Sequence, residues 1–224
     1  MLRTDRSQGG TSSSTFPQRL TREALERAVG ELVRRDRGLA RIVAAHGPPP
    51  LWARRPAFAT LVRIILEQQV SLASAAAIYR RVAKELPGGW SPASVRAAGE
   101  AGLRARGLTR QKARYVTELA NHVGDGRLVL SELTRASDDV VRAQLAAVPG
   151  IGPWTANIYL LMVLCRPDIW PTGDLALHKA LARLRGLRQI PSSDEAVRLA
   201  ARWRPHRAVA ARILWHGYLS TRES

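Results

Sequence analysis

The chain has 224 residues, 46% hydrophobic and 24% charged, which is enough apolar material for a folded core and excludes global disorder. No apolar run reaches the ~18–20 residues of a membrane span, and the N-terminus lacks the apolar stretch of a signal peptide. The single cysteine, Cys165, excludes an internal disulfide and a four-cysteine iron–sulfur cluster. Lys+Arg 35 against Asp+Glu 18 leaves a net charge of +17, nearly all of it from arginine, since Lys84, Lys112 and Lys179 are the only lysines. An excess of that size favours a polyanionic partner held through its phosphates. The expectation is a cytoplasmic monomer that acts on nucleic acid and not at a membrane.

Residues 1–17 are rich in Gly, Ser and Thr and read as a disordered tail. A short second tail is expected at 220–224, leaving 18–219 as one helical domain. Leu20 to Ala45 is helix-like, with Thr21 as N-cap and Glu23 in the first turn. His46-Gly47-Pro48 stops it. From Arg55 to Leu86 apolar residues recur at helical spacing, with a break near Gln69 to Ser71. Pro87-Gly88-Gly89 ends that stretch, and Ser91-Pro92 fits the cap and first position of the next helix. Thr109 caps another helix, and Ser137 caps Asp138 to Ala147 with its acids in the first turn. Pro153 to Leu164, Leu175 to Leu184, Asp194 to Trp203 and His206 to Leu219 complete the series. No stretch alternates as a strand does, and no repeat signals a solenoid. The reading is an all-α fold: two helical subdomains around a cleft, divided between an N-terminal and a C-terminal half.

The sharpest local feature is LAAVPGIGPWTANIYLLMVL, Leu145 to Leu164. A helix ends, Pro149-Gly150-Ile151-Gly152 makes a tight turn, and Pro153 starts a second helix. The glycines permit backbone shapes closed to other residues, and Ile151 plugs the angle between the helices. First-turn amides after Gly152 point outward and suit a phosphate, so Gly150, Gly152 and Thr155 are the expected DNA-backbone contacts. The main-chain carbonyls of Ala146, Val148 and Ile151 suit a monovalent cation, Na+ or K+, bridging to that phosphate. Downstream, Pro171 and Gly173 shape a loop and Asp174 opens a helix, whose positive end attracts a carboxylate. Asp168 in the same loop reads as a cap or a surface acid.

VPGIGPWTA at Val148 to Ala156 followed by WPTGDLAL at Trp170 to Leu177 resembles the helix–hairpin–helix (HhH-GPD) DNA glycosylases. ILEQQVSLASAA at Ile65 to Ala76, GLTRQKARYVTELA at Gly107 to Ala120 and RWRPHRAVAARILWHGY at Arg202 to Tyr218 narrow this to the alkylbase branch, 3-methyladenine DNA glycosylase II. The resemblance runs roughly from residue 20 to 219. It implies a catalytic aspartate at Asp174 and pocket aromatics at Trp154 and Trp215. A further pocket aromatic of the long bacterial members falls on Ile158, beside Tyr159. The residue pushed into the duplex gap falls on Gln69, where the long form has leucine. The nucleophilic lysine of lyase members falls on Trp154, so base release without strand cleavage is implied. The β-rich N-terminal domain of the long form has no counterpart in this sequence.

The chemistry implied is base flipping followed by hydrolysis of the N-glycosidic bond. Alkylation at N3 or N7 makes a purine cationic and weakens its bond to the sugar. Tryptophan faces attract such a base, and one carboxylate suffices when the leaving group needs no acid. Asp174 would stabilise the oxocarbenium-like sugar and activate water. The partner is double-stranded DNA carrying 3-methyladenine or 7-methylguanine. Other damaged bases on the same scaffold, and a non-catalytic DNA-binding hairpin, are the alternatives.

The remaining tryptophans, Trp52, Trp90, Trp170 and Trp203, read as packing residues. His178 faces DNA or bonds locally, and Glu67 is a structural partner. His122, His206 and His216 lack metal-ligand spacing with Cys165, so neither zinc nor an iron–sulfur cluster is expected. Nine basic residues between Lys179 and Arg212 form an expected DNA-facing surface.

Overall fold

Side-chain caps start most of the helices, where the sequence places them. A computed structural model describes residues 18–221. The tail expected at 1–17 and the last three residues of the one expected at 220–224 lie outside the described residues. Thr21 Oγ1 accepts from Ala24 N at the start of α1 (Arg22–Arg35). Ser71 caps α4 (Leu72–Glu85), Ser91 caps α5 (Pro92–Ala105) and Thr109 caps α6 (Arg110–Gly124). Ser137 caps α8 (Asp138–Ala146), and Ser192 caps α11 (Ser193–Ala200). Each hydroxyl takes one of the orphan amides of a first turn. No strand occurs among the described residues.

The expected helix from Leu20 to Ala45 is two helices. Asp36 adopts an extended backbone (φ −138°, ψ 103°) and caps α2 (Arg37–His46) by accepting from Gly38 N and Leu39 N. Its other oxygen accepts from Trp203 Nε1 at 2.9 Å and Arg185 Nη2 at 2.6 Å. The helix thus breaks at a residue held by its local cap bonds and by these distant donors together. The break expected near Gln69 is present, between α3 (Phe58–Glu67) and α4. A single turn forms α7 (Leu130–Leu133). The hairpin's second helix, α9 (Pro153–Ile158), widens into a π turn over Tyr159–Val163, closed by Leu164 N donating to Tyr159 O at 3.1 Å. Then come α10 (Leu175–Arg185), α11 with a 3-10 turn over Ala201–Trp203, and α12 (Arg207–Ser220). The last helix thus takes in Ser220, one residue of the expected tail.

Two subdomains are present, but the chain divides them differently from an N-terminal and a C-terminal half. α2 packs on α12 and α10, and α1 packs on α2 and α12, so both ends of the chain build one subdomain. α3 to α9 form the other, with α3 against α4, α6 and α9. Apolar stripes of α3 (Leu61, Ile64, Ile65) and α6 (Val116, Leu119) and the hairpin residues Val148 and Ile151 share one buried cluster with Leu177, Ile213 and Leu214.

The loop between the π turn and α10 is pinned where it leaves the core. Asp168 accepts from Arg207 N at 3.1 Å and Nε at 2.8 Å, which ties the loop to the start of α12. Trp170 packs against Trp203 with ring centroids 5.7 Å apart. That pinning fixes where Asp174 emerges.

Candidate active site and DNA interface

Asp174 is the N-cap of α10, and three N–H groups hold its carboxylate. Oδ1 accepts from Leu177 N at 2.8 Å, the capping bond, and from Trp215 Nε1 at 3.2 Å. Oδ2 accepts from Trp154 Nε1 at 3.1 Å. Trp154 and Trp215, the expected pocket aromatics, reach the aspartate from different elements, α9 and α12, each presenting its N–H edge. Asp174 is half-buried and keeps open surface. With one oxygen bonded twice and the other once, Oδ2 retains acceptor capacity.

Ile158 and Tyr159 do not join this group. Ile158 is 3% exposed and Tyr159 0%, so neither offers surface to an incoming base. The pocket expectation for Tyr159 is therefore corrected to a core position. Burial pushes its hydroxyl up to about 12, in keeping with a phenol among apolar neighbours. Trp215 is itself only 7% exposed, so of the expected pocket residues only Trp154 is part-exposed beside Asp174.

In the hairpin, Gly150 adopts φ 91°, a left-handed conformation, and the Tyr115 ring lies where a Cβ would project. Ile151 is buried between the helices, as its position predicts. Gly152 is the exposed N-cap of α9, so the first-turn amides beyond it lack intrahelical partners. Thr155 is 1% exposed, and its Oγ1 accepts from Gln68 Nε2 at 2.9 Å. Its hydroxyl is thus turned inward, away from any DNA backbone, and only its amide faces the turn. Val148 O accepts from Ile151 N at 3.0 Å. Gln69 is exposed at the α3–α4 break with φ 57°, flanked by Val70 and Leu72, which are 45% and 58% exposed. Apolar groups left in water beside a protruding turn suit insertion between bases.

His178 is buried one turn after Asp174. Burial lowers its pKa, against the raising influence of Asp174 and of the Pro191 backbone. Glu67 accepts from Arg54 and Arg63, the structural role expected of it. Trp90 donates to Tyr79 O and stacks on that ring, whereas Trp52 is only partly buried, edge-on to His216.

The basic segment is smaller than its charge suggests. Arg212 is 0% exposed and donates to the carbonyls of Leu51, Ala208 and Leu161. Arg185 is bonded to Asp36 and Arg207 to Asp168. Arg212 clamps α12 to the π turn, whose widened ring frees the Leu161 carbonyl, and it lies one turn before Trp215. Burial pulls its pKa down to about 10. The clue was a lone charge inside Val209 to Trp215, an otherwise apolar run. Gln68 was missed as well, and the glutamine pair at a helix break was its signal.

The family profile described as "HhH-GPD superfamily base excision DNA repair protein" matches residues 62–206. The 3-methyladenine DNA glycosylase of Schizosaccharomyces pombe, solved in complex with abasic DNA, superposes with a TM-score of 0.77 at 26% identity, over 84% of this chain and 95% of that one. The DNA-3-methyladenine glycosidase of Bacillus halodurans gives 0.70 at 30% identity, over 88% and 91%. DNA-3-methyladenine glycosylase 2 of Escherichia coli is 31% identical over 172 residues, 71% of this chain and 57% of that protein. The chain spans 64%, 36% and 32% of three other curated bacterial relatives. The chain belongs to the HhH-GPD superfamily of base-excision DNA repair proteins, on its alkylbase DNA glycosylase branch.

Proposed function

We propose that this protein is a monofunctional DNA glycosylase that flips alkylated purines, 3-methyladenine and 7-methylguanine, out of duplex DNA and hydrolyses their N-glycosidic bond. The observation that carries the reading is the Asp174 carboxylate, held by two indole N–H groups and a helix-capping amide at the edge of the cleft. A DNA-binding module has no need of an acid fixed this way beside a polyanion.

In the proposed reaction the hairpin amides hold a backbone phosphate and Gln69 fills the space the base vacates. The cationic base enters beside Trp154 and Trp215. The bond between C1′ and the purine nitrogen breaks, and its electron pair leaves with the base, which becomes neutral. Positive charge develops on the sugar next to Asp174, the fixed negative group best placed to stabilise it. Water adds to C1′ and its proton passes to Asp174 or to solvent. Trp154 stands where lyase relatives carry lysine, and an indole forms no Schiff base, so the backbone stays intact. The carbonyls of Ala146, Val148 and Ile151 span the last residue of α8 and the turn that follows it, and would hold Na+ or K+ against the same phosphate.

Single-turnover incubation with a duplex containing one 7-methylguanine tests the reading. Free base should appear and the abasic strand should remain uncut, with no borohydride-trapped adduct. Failure to release either 7-methylguanine or 3-methyladenine from duplex DNA would refute it.

A further inference from the structure

Two parts of the DNA-facing surface lie 82 positions apart in sequence and are joined by one side chain. Gln68 is the C-cap of α3. Its Nε2 donates to the Gly150 carbonyl at 3.0 Å and to Thr155 Oγ1 at 2.9 Å. Both N–H groups of the amide are thereby used, one on the Gly-Ile-Gly turn and one on the helix that follows it. The very next residue is Gln69, exposed at φ 57°. A non-glycine residue stays in that region only when its surroundings hold it there. Lys112 adds a second tether, since its Nζ donates to the Leu66 carbonyl at 2.5 Å in the last turn of α3. Burial lowers the pKa of this lysine, but the tether itself is geometric.

We infer that Gln68 is a positioning residue that locks the Gln69 turn to the hairpin, so that the wedge and the phosphate grip move as one rigid caliper. The inference rests on the reading of the protein as a base-flipping glycosylase. A duplex held by its phosphate at the hairpin then meets Gln69 at a fixed offset. Pushing a side chain into the base stack works against the turn that carries it. A loose turn would yield, and the extruded nucleotide would swing back, although the phosphate grip survived. Gln68 therefore acts on recognition of the extruded state and not on general affinity for DNA.

The chemistry of the two partners specifies the side chain. Both are oxygens in accepting roles, so the head group must offer two donors at this reach. Methionine keeps the length and loses both donors. Glutamate sets a carboxylate against the Gly150 carbonyl, and asparagine is one methylene short.

The test compares the full chain with Gln68→Met, Gln68→Glu and Thr155→Val. Binding is measured by anisotropy on two duplexes that differ only in a central tetrahydrofuran abasic analogue. Single-turnover excision of 7-methylguanine runs in parallel. The wild type should prefer the abasic duplex. Gln68→Met should reduce that preference by roughly tenfold, the scale of one or two lost hydrogen bonds, and leave affinity for the intact duplex unchanged. Its maximal excision rate should fall alongside, at an unaltered half-saturating enzyme concentration. Gln68→Glu should lose at least as much. Thr155→Val, which removes one bond and keeps the buried volume, should fall between and covers the case of a Gln68 variant that does not fold. Undiminished preference in the variants, parallel loss on both duplexes, or a wild type indifferent to the abasic site would each overturn the inference. The binding arm needs no chemistry. A wild type that prefers the abasic duplex yet releases no base defeats the proposed activity while the variants still decide the role of Gln68.

Discussion

Replacing Asp174 by asparagine separates the charge of this carboxylate from its shape. An asparagine can keep its oxygen at the Oδ1 position and continue to accept from Leu177 N and Trp215 Nε1, now at 2.8 and 3.2 Å. Asparagine caps helices as well as aspartate does, so α10 keeps its start. The new NH2 group then faces Trp154 Nε1–H, now 3.1 Å from Oδ2, and donor meets donor. Losing one hydrogen bond to a charged acceptor costs about 1.5–3 kcal/mol when buried. Asp174 and Trp154 are only half-buried, which lowers the expected cost to about 1–2 kcal/mol, or roughly 2–8 °C in melting temperature at this chain length. The chemical loss is larger. Removing a fixed group that stabilises transition-state charge typically costs about 100–1000-fold in rate, and here the whole negative charge goes. Scanning fluorimetry and single-turnover excision of 7-methylguanine measure the two effects separately. Affinity for intact duplex should hold or rise, because a negative charge beside phosphates is gone. Excision by the variant within about tenfold of wild type, a difference of only ~1.4 kcal/mol in the barrier, would refute the assignment.

Trp154→Phe and Trp215→Phe each keep an aromatic face and remove one N–H to Asp174, so each should slow excision by about tenfold with little change in DNA affinity; a single-turnover comparison checks this, and an unaltered rate in both would leave the N–H groups without a role. Gly150→Ala adds a Cβ into the Tyr115 ring at a left-handed backbone position, costing upwards of about 1–2 kcal/mol in stability and weakening duplex binding, as denaturant melts and anisotropy would show. Burial raises the Asp36 pKa, but Trp203, Arg185 and the Leu39 amide outweigh it and hold the carboxyl below its ordinary 3.8. Its stabilisation is thus complete above that ordinary value and lost as pH falls through the lower folded one, so Asp36→Asn should flatten the melting-temperature profile below about pH 4. Duplex affinity should fall log-linearly with salt by about 0.9 per phosphate neutralised, and a flat titration would contradict a phosphate-gripping surface.

Features set by neighbours in sequence were legible, and features set by distant neighbours were not. Thr21, Ser91, Thr109 and Ser137 cap helices because hydroxyls bond amides three residues on. The hairpin and the Asp174 cap are local in the same sense. Asp36 caps α2 through local amides, but its second oxygen is held by Arg185 and Trp203, which arrive from the far end of the chain. Composition counted Arg212 as surface charge, whereas its three carbonyl partners come from separate elements. For Tyr159 there was no stripe to read. Thr155 through Leu161 are all buried, and a helix enclosed on every side has no outward phase. The fold class therefore came through, and Asp174 was legible as a helix cap, but the manner in which its carboxylate is held was not.

The division of the chain between its two subdomains has a bearing on the order in which the site is completed. The hairpin and the Gln69 turn both lie within α3 to α9, ahead of α10 in the chain, and Gln68 joins them. Asp174 follows later, and Trp215, which supplies one of its three N–H partners, lies later still, on α12. α12, which carries it, packs on α1 and α2, which precede α3 to α9 in the chain. The Gln68-linked hairpin is thus encoded ahead of the clamp around Asp174, and a polypeptide released early would carry the one without the other.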